Sequence, residues 1–356
     1  MPLSEGIIFM PAALGFVEIE QQAIESLGLK RIDASELTIE RVACGNGFQF
    51  LRDGKRAVGR RDVKRISELA IPPAWSEVRI ACDCDSHLQA VGRDEAGRLQ
   101  YIYHSDWEDV RAAAKAFRLQ QIGQALPVLR PQIEEHLKKD SEKLPLAAAA
   151  RLVDLLHLRA GHETYAGDEG GRGAATLLKR HLQFDGQNFR LVFRGKSGKR
   201  IDKTCSDTSL AEALAELRRI RGPRLFKLKS KDGWRPMTAA DMNAYLLQAS
   251  GKPITAKDFR TLFASAAALD RLSLVRVAET AAKRRGIVAE TAREISVELA
   301  NTPTIARKSY IHPLITSKFE TGELAEFTNS RARAGMNSAE SKLMRFLETM
   351  SDAAEA

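Results

Sequence analysis

The spacing of apolar residues changes about one third of the way along the chain. Before residue 106, short apolar or alternating runs are separated by turn-forming residues, a pattern typical of β-strands. Such runs cover residues 48–51, 78–82, 88–92 and 98–104. Arg52-Asp53-Gly54-Lys55 and Asp94-Glu95-Ala96-Gly97 predict turns. Ile71-Pro72-Pro73-Ala74-Trp75 predicts a fixed loop, because proline cannot continue a helix and restricts the residue before it.

From about residue 107, apolar residues recur at helical spacing instead. The strongest segment is Ala147–Arg159, where five apolar side chains form one broad face. Further helices are predicted at residues 112–124, 133–137, 176–181, 210–220, 239–248, 256–269, 278–285, 290–299 and 339–350. Two extended runs, 189–194 and 199–204, flank Gly195-Lys196-Ser197-Gly198 and predict a β-hairpin with Lys196 at its tip.

This change in pattern predicts an α+β chain of two domains. A small strand-rich domain covers residues 1–106, of which 1–30 form an extension without an assigned role, and a larger, mainly helical domain covers residues 107–356. A length of 356 residues suits two domains, and 44% apolar residues suffice for packed cores. The net charge of +9 favours an acidic partner, of which nucleic acid is the commonest.

Two further features limit the class of protein. The cysteines Cys44, Cys82, Cys84 and Cys205 lack the spacing of a zinc site, so we expect no metal and free thiols in a reducing compartment. The apolar segment at residues 6–17 has no basic flank and is too short and proline-broken to cross a bilayer. The sequence therefore predicts a cytoplasmic protein without a membrane partner.

The candidate chemistry centres on Tyr310. Asn301 lies nine residues before it, and cationic candidates lie upstream at Arg159, Lys196 and Arg260. Transfer of a phosphodiester needs a nucleophile, stabilisation of the non-bridging oxygens and a proton for the leaving oxygen. Tyrosine can attack, arginine can hold two oxygens with its planar fork, and a buried lysine can give up a proton. The set predicts DNA strand breakage through a tyrosine nucleophile.

Taken singly, these residues also have ordinary explanations. Arg159 could complement a helix dipole, Lys196 could be a solvated turn lysine and Arg260 a helix-surface residue. The Gly-Lys-Ser-Gly turn lacks the spacing of a phosphate-binding Walker A loop. A non-catalytic basic DNA-binding protein with a structural Tyr310 is therefore an alternative, although it leaves the order of the residues unexplained.

Several blocks of the sequence resemble the type IB DNA topoisomerases, in particular the small bacterial members related to the poxvirus enzyme. The similarity covers roughly residues 35–315. In the first domain the similar blocks are Ile66–Trp75, Gln89–Asp94 and Gly97–His104. In the second they are Leu158–Gly161 with Glu163 and Tyr165, Thr176–His181, Asn301–Pro303 and Lys308–Pro313.

The resemblance implies a role for each candidate. Tyr310 would attack a DNA phosphate and form a 3′-phosphotyrosyl bond, and Lys196 would protonate the leaving 5′-oxygen with help from Arg159. Arg159, Arg260 and Asn301 would stabilise the non-bridging oxygens. Because the bond energy is kept in the phosphotyrosine, no cofactor, ATP or metal would be required. The implied catalytic fold is that of tyrosine recombinases and type IB topoisomerases.

Some alternatives remain open within this resemblance. Lys199 lies three residues after Lys196 on the same turn and is a second candidate for the general acid. Asn301 stands where the poxvirus and eukaryotic enzymes use histidine, and His162 stands where a polar amide is expected. A site-specific tyrosine recombinase is the alternative function. The strand-rich first domain with its Pro-Pro-Ala-Trp block favours the topoisomerase.

The predicted partner is supercoiled double-stranded DNA, clamped by a monomer that is associated with the nucleoid. In the first domain the predicted phosphate, polar and stacking contacts are Arg60, Arg61, Lys64, Arg65, Arg93, Gln100, Tyr101 and Tyr103. In the second they are Lys179, Arg180 and His181. The basic stretch at residues 60–65 could alternatively be a solvated helix face.

Overall fold

The computed structural model describes residues 16–52, 54–55, 59–138, 142–166, 170–186, 188–276, 278–324, 327 and 331–355. The chain divides into two compact units, Leu3–Ala114 and Lys115–Ala356. The first is rich in strands and the second is mostly helical, so the chain has the predicted α+β composition. Among the described residues, no helix combines the length and apolar composition that a bilayer span requires.

The first unit is built on a five-stranded antiparallel sheet in the order β2-β1-β3-β4-β5. Its strands are β1 (Ile39–Cys44), β2 (Gly47–Arg52), β3 (Ser76–Ile80), β4 (Leu88–Arg93) and β5 (Leu99–Tyr103). The turn between β1 and β2 lies at residues 45–46, where Gly45 has a φ of +58°. The sequence had indicated only the turn after β2, where Arg52 and Lys55 form a single bridge.

Three apolar clusters stabilise this unit, and two of them include helices. In the first, the buried Ile66 of α2 (Arg60–Glu68) packs against the sheet. The opposite face of α2 carries exposed basic residues. The sheet side of this cluster consists of Ile39, Val78, Ile80 and Ala90. The second cluster joins α1 (Phe16–Ser26) to the start of α3 (Trp107–Lys138), through Ile24, Trp107 and Val110.

The second unit packs helices around the rest of α3. These helices are α4 (Leu144–Leu156), α5 (Thr208–Arg219), α6 (Ala239–Ser250), α7 (Ala256–Leu274), α8 (Ala281–Glu298), α9 (Pro303–Ile305), α10 (Pro313–Thr321) and α11 (Ser338–Glu355). The segments predicted at 112–124 and 133–137 are one helix, α3, although Pro127 and Pro131 lie inside it. Buried apolar residues on both sides of the prolines supply the packing that offsets the lost backbone hydrogen bonds.

Two other helix predictions were wrong in their extent. The segments at 278–285 and 290–299 join into α8, which passes through Gly286. Residues 176–181 do not form a helix: short 3₁₀ turns at Ala174–Thr176 and Lys179–His181 are separated by extended backbone. The interruption has a cause in tertiary structure, because the carbonyl of Leu177 accepts a hydrogen bond from the Leu225 amide at 3.0 Å.

Two small sheets complete the second unit. The predicted hairpin is present as β7 (Asn188–Arg194) and β8 (Arg200–Cys205), joined on one side by β6 (Leu182–Asp185). A second hairpin, β9 (Lys227–Ser230) with β10 (Gly233–Pro236), was not predicted. Its Lys231-Asp232-Gly233 turn was a usable signal, but the flanking runs are too short and too polar to indicate strands.

An ion network fixes the packing of three helices in the second unit. The guanidinium of Arg130 on α3 donates to both oxygens of Asp154 on α4, at 2.9 and 2.7 Å. It also donates to both oxygens of Glu340 on α11, each at 2.8 Å. Both carboxylates are buried, so removal of the arginine would leave two uncompensated charges in the interior. The network therefore holds α3, α4 and α11 in one arrangement.

Candidate active site

Four of the five residues predicted to be catalytic line one cavity of the second unit. The cavity has a volume of about 840 Å³, and Arg159, Lys196, Arg260 and Tyr310 contribute to its wall. The fifth, Asn301, accepts a hydrogen bond from Arg159. These residues are up to 151 positions apart in sequence (310 − 159), so the fold brings them together.

Tyr310 ends a short π-helical turn, Ala306–Tyr310, that follows α9. Thr302 caps α9 through its side chain, and the Ile311 amide donates to the Ala306 carbonyl at 3.0 Å, which closes the wide turn. The Ser265 hydroxyl on α7 donates to the Tyr310 carbonyl at 3.0 Å. The backbone on both sides of the tyrosine is thus held by hydrogen bonds, and the ring is 8% exposed.

The surroundings of Tyr310 favour its ionised form. Burial on its own raises the pKa of a phenol. Here the positive charge of Arg260, hydrogen bonds from Arg260 and Asn301, and the charge of Arg159 outweigh burial and lower the pKa of Tyr310. The guanidinium carbon of Arg260 lies 4.8 Å from the centre of the tyrosine ring. The site therefore promotes the phenolate, which is the nucleophilic form of tyrosine.

Arg260 is held rigidly on α7. It is 3% exposed, and it donates to the carbonyls of His157 and, at 2.9 Å, Leu299. Burial is the main reason that its pKa is lowered, although arginine stays charged at neutral pH. Lys257 lies one helical turn earlier on the same face and also lines the cavity. Lys257 was not predicted from the sequence, although its i, i+3 spacing from Arg260 was a usable signal.

Asn301 is positioned by the end of α8. The Asn301 amide donates to the Ser296 carbonyl at 2.8 Å, and the Ala300 amide donates to the Val297 carbonyl at 3.0 Å. This pair of bonds closes the helix through Ala300 at a φ of +48°, a conformation that glycine usually supplies. The helix end aims the Asn301 side chain at Arg159, whose Nη2 donates to Oδ1.

The β7–β8 hairpin presents two lysines in different situations. Lys196 is exposed at the tip and lines the cavity, whereas Lys199 is half-buried and donates from Nζ to the Asn301 carbonyl at 2.5 Å. Ser197 and Gly198, with φ of +59° and +70°, turn the chain between them. The ammonium of Lys199 is thus occupied in holding the hairpin, and that of Lys196 faces the cavity that Tyr310 lines.

A glycine contact fixes the backbone of Arg159. The Ala174 amide donates to the Arg159 carbonyl at 2.8 Å, and a Cβ atom on Gly173 would lie 2.4 Å from that same carbonyl oxygen. It would also lie 2.6 Å from the amide nitrogen of Gly161, whose own φ is +84°. Two backbone segments therefore approach more closely than any side chain allows, which determines where Arg159 enters the cavity.

We expect Gly173→Ala to displace the Arg159 segment. Because the clash is with backbone atoms, the variant should lose about 1–3 kcal/mol of unfolding free energy and at least about tenfold in activity. Gly286→Ala is the control, since nothing lies within 4 Å of a Cβ there and alanine favours the interior of α8. Urea unfolding and an assay of the predicted DNA strand breakage should both distinguish the two variants. Wild-type activity in Gly173→Ala would contradict the assignment.

His157 contacts Arg260 through its backbone carbonyl, which accepts a hydrogen bond from the guanidinium. It caps α4 with a φ of +55°, and its ring stacks on Phe263 at 3.8 Å between centres. Its Nδ1 is buried without a hydrogen-bond partner among the described residues. Burial first, and then the charges of Lys203, Arg260 and Arg130, lower the pKa of His157 to about 3. The imidazole is therefore neutral at physiological pH.

This histidine predicts a loss of stability in acid. In the unfolded chain this histidine binds a proton at the ordinary pKa of about 6.5, while in the folded state it stays neutral down to about pH 3. Its contribution to the unfolding free energy is therefore fully present above pH 6.5 and decreases below it. At pH 5 the loss from this group is about 2 kcal/mol. His157→Asn tolerates the left-handed backbone and should flatten the curve of unfolding free energy between pH 5 and 7. Parallel curves for both proteins would contradict this origin.

In the first unit, the predicted DNA contacts differ in how free their side chains are. Arg60, Arg61 and Lys64 are exposed on α2. Arg65 instead points inward and donates to Gln89 Oε1 at 2.7 Å and to the Ala81 carbonyl at 2.6 Å. Its guanidinium therefore supports the sheet in this structure, and a phosphate contact from it would need these bonds to be exchanged.

The remaining candidates of the first unit lie on and beside β5. Arg93 pairs with Glu77 at 2.9 Å, and Gln100 donates to Asp94 at 2.8 Å. Tyr101 and Tyr103 are exposed, with stacked rings 6.2 Å apart. The two tyrosines present aromatic surface to solvent, as the prediction of stacking groups requires.

In the second unit, Arg180 is exposed, whereas its neighbours are partly engaged. Lys179 donates to the Ile220 carbonyl. His181 stacks on Phe193 at 5.8 Å and accepts a hydrogen bond from the Leu178 amide at 3.2 Å. Burial, followed by the charges of Arg172 and Arg180, lowers its pKa to about 4. His181 is thus a neutral packing residue here, and all three DNA contacts stay predictions.

Known proteins are similar in sequence to this chain over most of its length. Residues 104–334 match the family described as eukaryotic DNA topoisomerase I, catalytic core. Residues 47–94 match the N-terminal domain of bacterial DNA topoisomerase IB. DNA topoisomerase 1B of Acanthamoeba polyphaga mimivirus is 29% identical over an alignment of 289 residues, and the match covers 77% of this chain and 84% of the relative.

Proposed function

The chain belongs to the type IB DNA topoisomerase family, and we propose that it relaxes DNA through Tyr310 and the residues around its cavity. The observation that carries the proposal is the position of Tyr310 beneath the buried Arg260, with the Arg159–Asn301 pair at the same cavity. This arrangement lowers the pKa of a nucleophile and supplies cations where negative charge would develop.

Cleavage begins when the Tyr310 oxygen attacks a DNA phosphorus. The bond from Tyr310 to phosphorus forms as the bond from phosphorus to the 5′-oxygen breaks, and Lys196 gives the leaving oxygen its proton. Arg159 and Arg260 stabilise the non-bridging oxygens, and Asn301 donates a hydrogen bond to them from its side-chain amide. The phenol loses its proton to solvent, and the lowered pKa of Tyr310 favours this loss.

Religation reverses these steps. While the strand is held as a 3′-phosphotyrosine, torsion in the duplex drives rotation of the free end about the intact strand. The 5′-hydroxyl then attacks the phosphorus, returns a proton to Lys196 and releases the tyrosine. One phosphodiester is exchanged for another of similar energy, so the cycle needs neither ATP hydrolysis nor a metal ion.

We assign DNA binding to both units. The exposed Arg60, Arg61 and Lys64 of the first unit supply phosphate contacts, and Tyr101 and Tyr103 supply aromatic surface. In this proposal the protein acts as a monomer, the first unit clamps the duplex that the second unit cleaves, and the catalytic unit has the fold of the tyrosine recombinases. Supercoiled DNA is the substrate, which places the protein with the nucleoid in the cytoplasm.

The test is relaxation of negatively supercoiled plasmid by the purified protein in EDTA without ATP. We expect relaxation in steps of one linking number and, after denaturant quenching, a covalent adduct between protein and the 3′ side of a nick. A folded protein that binds DNA but gives neither product would contradict the proposal. Recombination between two plasmids without relaxation would instead indicate a site-specific recombinase.

A further inference from the structure

The β9–β10 hairpin has no role in the steps of the proposed reaction. We propose that residues 227–236, here named the basic hairpin, bind the duplex beside the cleavage site through Lys229, Lys231 and Trp234. The inference deepens the proposed function and rests on it, since it assigns a second contact with the same DNA substrate.

An exposed tryptophan is the first observation. Trp234 lies on β10 opposite Lys229 on β9, and it is 53% exposed. The other two tryptophans of the chain are better covered: Trp107 is 8% exposed and Trp75 is half-buried in the sheet core. Large aromatic residues left in solvent commonly mark contact surfaces, because their exposure forgoes the stabilisation that burial provides.

The charge of the hairpin is the second observation. Its ten residues carry four cations and a single carboxylate, Asp232 at the turn. Arg235 is bound by Asp241 of α6, at 2.7 Å for each oxygen, so this neighbouring acid is already neutralised. Lys229 is exposed directly across the hairpin from Trp234, and Lys231 is exposed at the turn. The surface thus joins an aromatic face to two positive charges.

Positive charge also accumulates at the base of the hairpin. Lys227 is buried against Gly222, where a Cβ atom would lie 2.5 Å from its Nζ. Its pKa is lowered, first by burial and then by the charge of Lys179. Arg221 adjoins Gly222 and is exposed. A bound polyanion would reduce the repulsion between these cations. This favours DNA as the occupant over an apolar partner.

Backbone hydrogen bonds limit the distance from the basic hairpin to the active site. The Arg159 carbonyl accepts from the Ala174 amide at 2.8 Å, and Leu177 pairs with Leu225 at 3.0 Å, two residues before β9 begins. Extended-chain geometry along this path places Trp234 at most about 40 Å from Arg159, or about 12 base pairs of duplex. A DNA segment that occupies the active site can therefore reach the hairpin.

The proposal predicts distinct roles for charge and aromatic surface. Each lysine that contacts a phosphate contributes about 0.9 to the slope of log affinity against log salt, so Lys229→Gln/Lys231→Gln should lower that slope by about 2. Trp234 packs against deoxyribose, so Trp234→Ala should weaken binding about fivefold to tenfold at every salt concentration, while Trp234→Phe should retain most of the affinity.

Binding is measured by anisotropy with a duplex of about 40 base pairs, in a Tyr310→Phe background that prevents cleavage. Lys138→Gln/Lys318→Gln is the control, because it removes the same charge from lysines that pair with glutamates elsewhere. A shorter duplex that ends at the cleavage site on the hairpin side should bind wild type and variants equally. With Tyr310 intact, the variants should cleave saturating DNA at the wild-type rate.

A second readout uses the hairpin's own tryptophan. In a Trp75→Phe/Trp107→Phe protein, emission from Trp234 should change when the long duplex is added and stay constant with the short one. Unchanged emission, or a salt slope equal to that of the control, would overturn the inference while wild-type relaxation left the proposed function intact. Absence of both relaxation and DNA binding in the wild type would instead refute the proposed function itself.

Discussion

Tyr310→Phe should abolish DNA relaxation and the covalent adduct while leaving DNA binding intact. The variant keeps an aromatic ring beneath Arg260, whose guanidinium carbon lies 4.8 Å from the ring centre, so the cavity should retain its shape. Only the hydroxyl is removed. Because no bond to phosphorus can then form, we expect a loss of at least about 10⁵-fold in relaxation rate.

Tyr245→Phe is the matched control for this experiment. Tyr245 is also buried and also hydrogen-bonded, to His136 at 2.9 Å, but it lies on α6 and does not line the cavity. The control should relax DNA at close to the wild-type rate. Equal relaxation by the Tyr310 variant and the wild type would show that the nucleophile is elsewhere.

The pH dependence of cleavage provides an independent check on the same residue. In the proposed reaction the nucleophile is the phenolate of Tyr310, whose pKa is lowered because the nearby arginines and Asn301 outweigh the effect of burial. Single-turnover cleavage should therefore rise with pH and level off below pH 10, the ordinary pKa of a tyrosine. A rise that continues through pH 10 would mean that these cations do not act on the hydroxyl.

Lys196→Ala should reduce the cleavage rate by about 10²–10⁴-fold, the usual contribution of a general acid. Lys196 lines the cavity with Tyr310 and is exposed at the tip of the β7–β8 hairpin. Lys199, the alternative general acid, donates a hydrogen bond from its ammonium to the Asn301 carbonyl at 2.5 Å. We therefore expect Lys196 to protonate the leaving oxygen and Lys199 to hold the hairpin in place.

A substrate with sulfur in place of the bridging 5′-oxygen separates these roles. A thiolate leaves without a proton because the pKa of a thiol, about 8.5, is far below that of an alcohol. The sulfur substrate should restore cleavage by Lys196→Ala to near the wild-type rate. It should not restore Arg260→Ala, whose defect concerns the non-bridging oxygens and the phenolate.

Lys199→Ala and Lys199→Arg complete the set. If Lys199 positions the hairpin, arginine should preserve most of the activity by keeping a donor at the Asn301 carbonyl, and alanine should show a smaller defect than Lys196→Ala. Full loss in Lys199→Ala, together with rescue by sulfur and normal cleavage by Lys196→Ala, would reverse the two assignments. Single-turnover rates on both substrates decide between them.

Local sequence accounts for much of the catalytic unit. Turn residues predicted the β7–β8 hairpin, and the order of Arg159, Lys196, Arg260, Asn301 and Tyr310 predicted a set that the fold does bring to one cavity. The hairpin depends on residue types at short spacing, which a single sequence displays, whereas the members of the set were predicted from separate local motifs that resemble a known family. The assignment of catalytic roles to them stays a prediction that the variants above test.

What the sequence could not give depends on contacts between distant segments. Residues 176–181 were predicted to be helical, but Leu177 and Leu178 are extended, and the bond from the Leu225 amide to the Leu177 carbonyl holds this interruption. The DNA contact predicted for Arg65 stays a prediction, but the sequence did not indicate that the guanidinium of this α2 residue donates to Gln89 on β4. Likewise Pro127 and Pro131 indicated a helix break that burial of the flanking apolar residues overrides. No local pattern contains these partners.

The wide turn at Ala306–Tyr310 restricts how this segment can vary in evolution. A π-helical turn contains one residue more than the α-helical turn it replaces. Deleting any residue between Thr304 and Ser309 would let an ordinary helix form, but it would rotate the following side chain by about 100°. Relatives that keep a tyrosine nucleophile should therefore accept substitutions within this stretch and reject changes in its length.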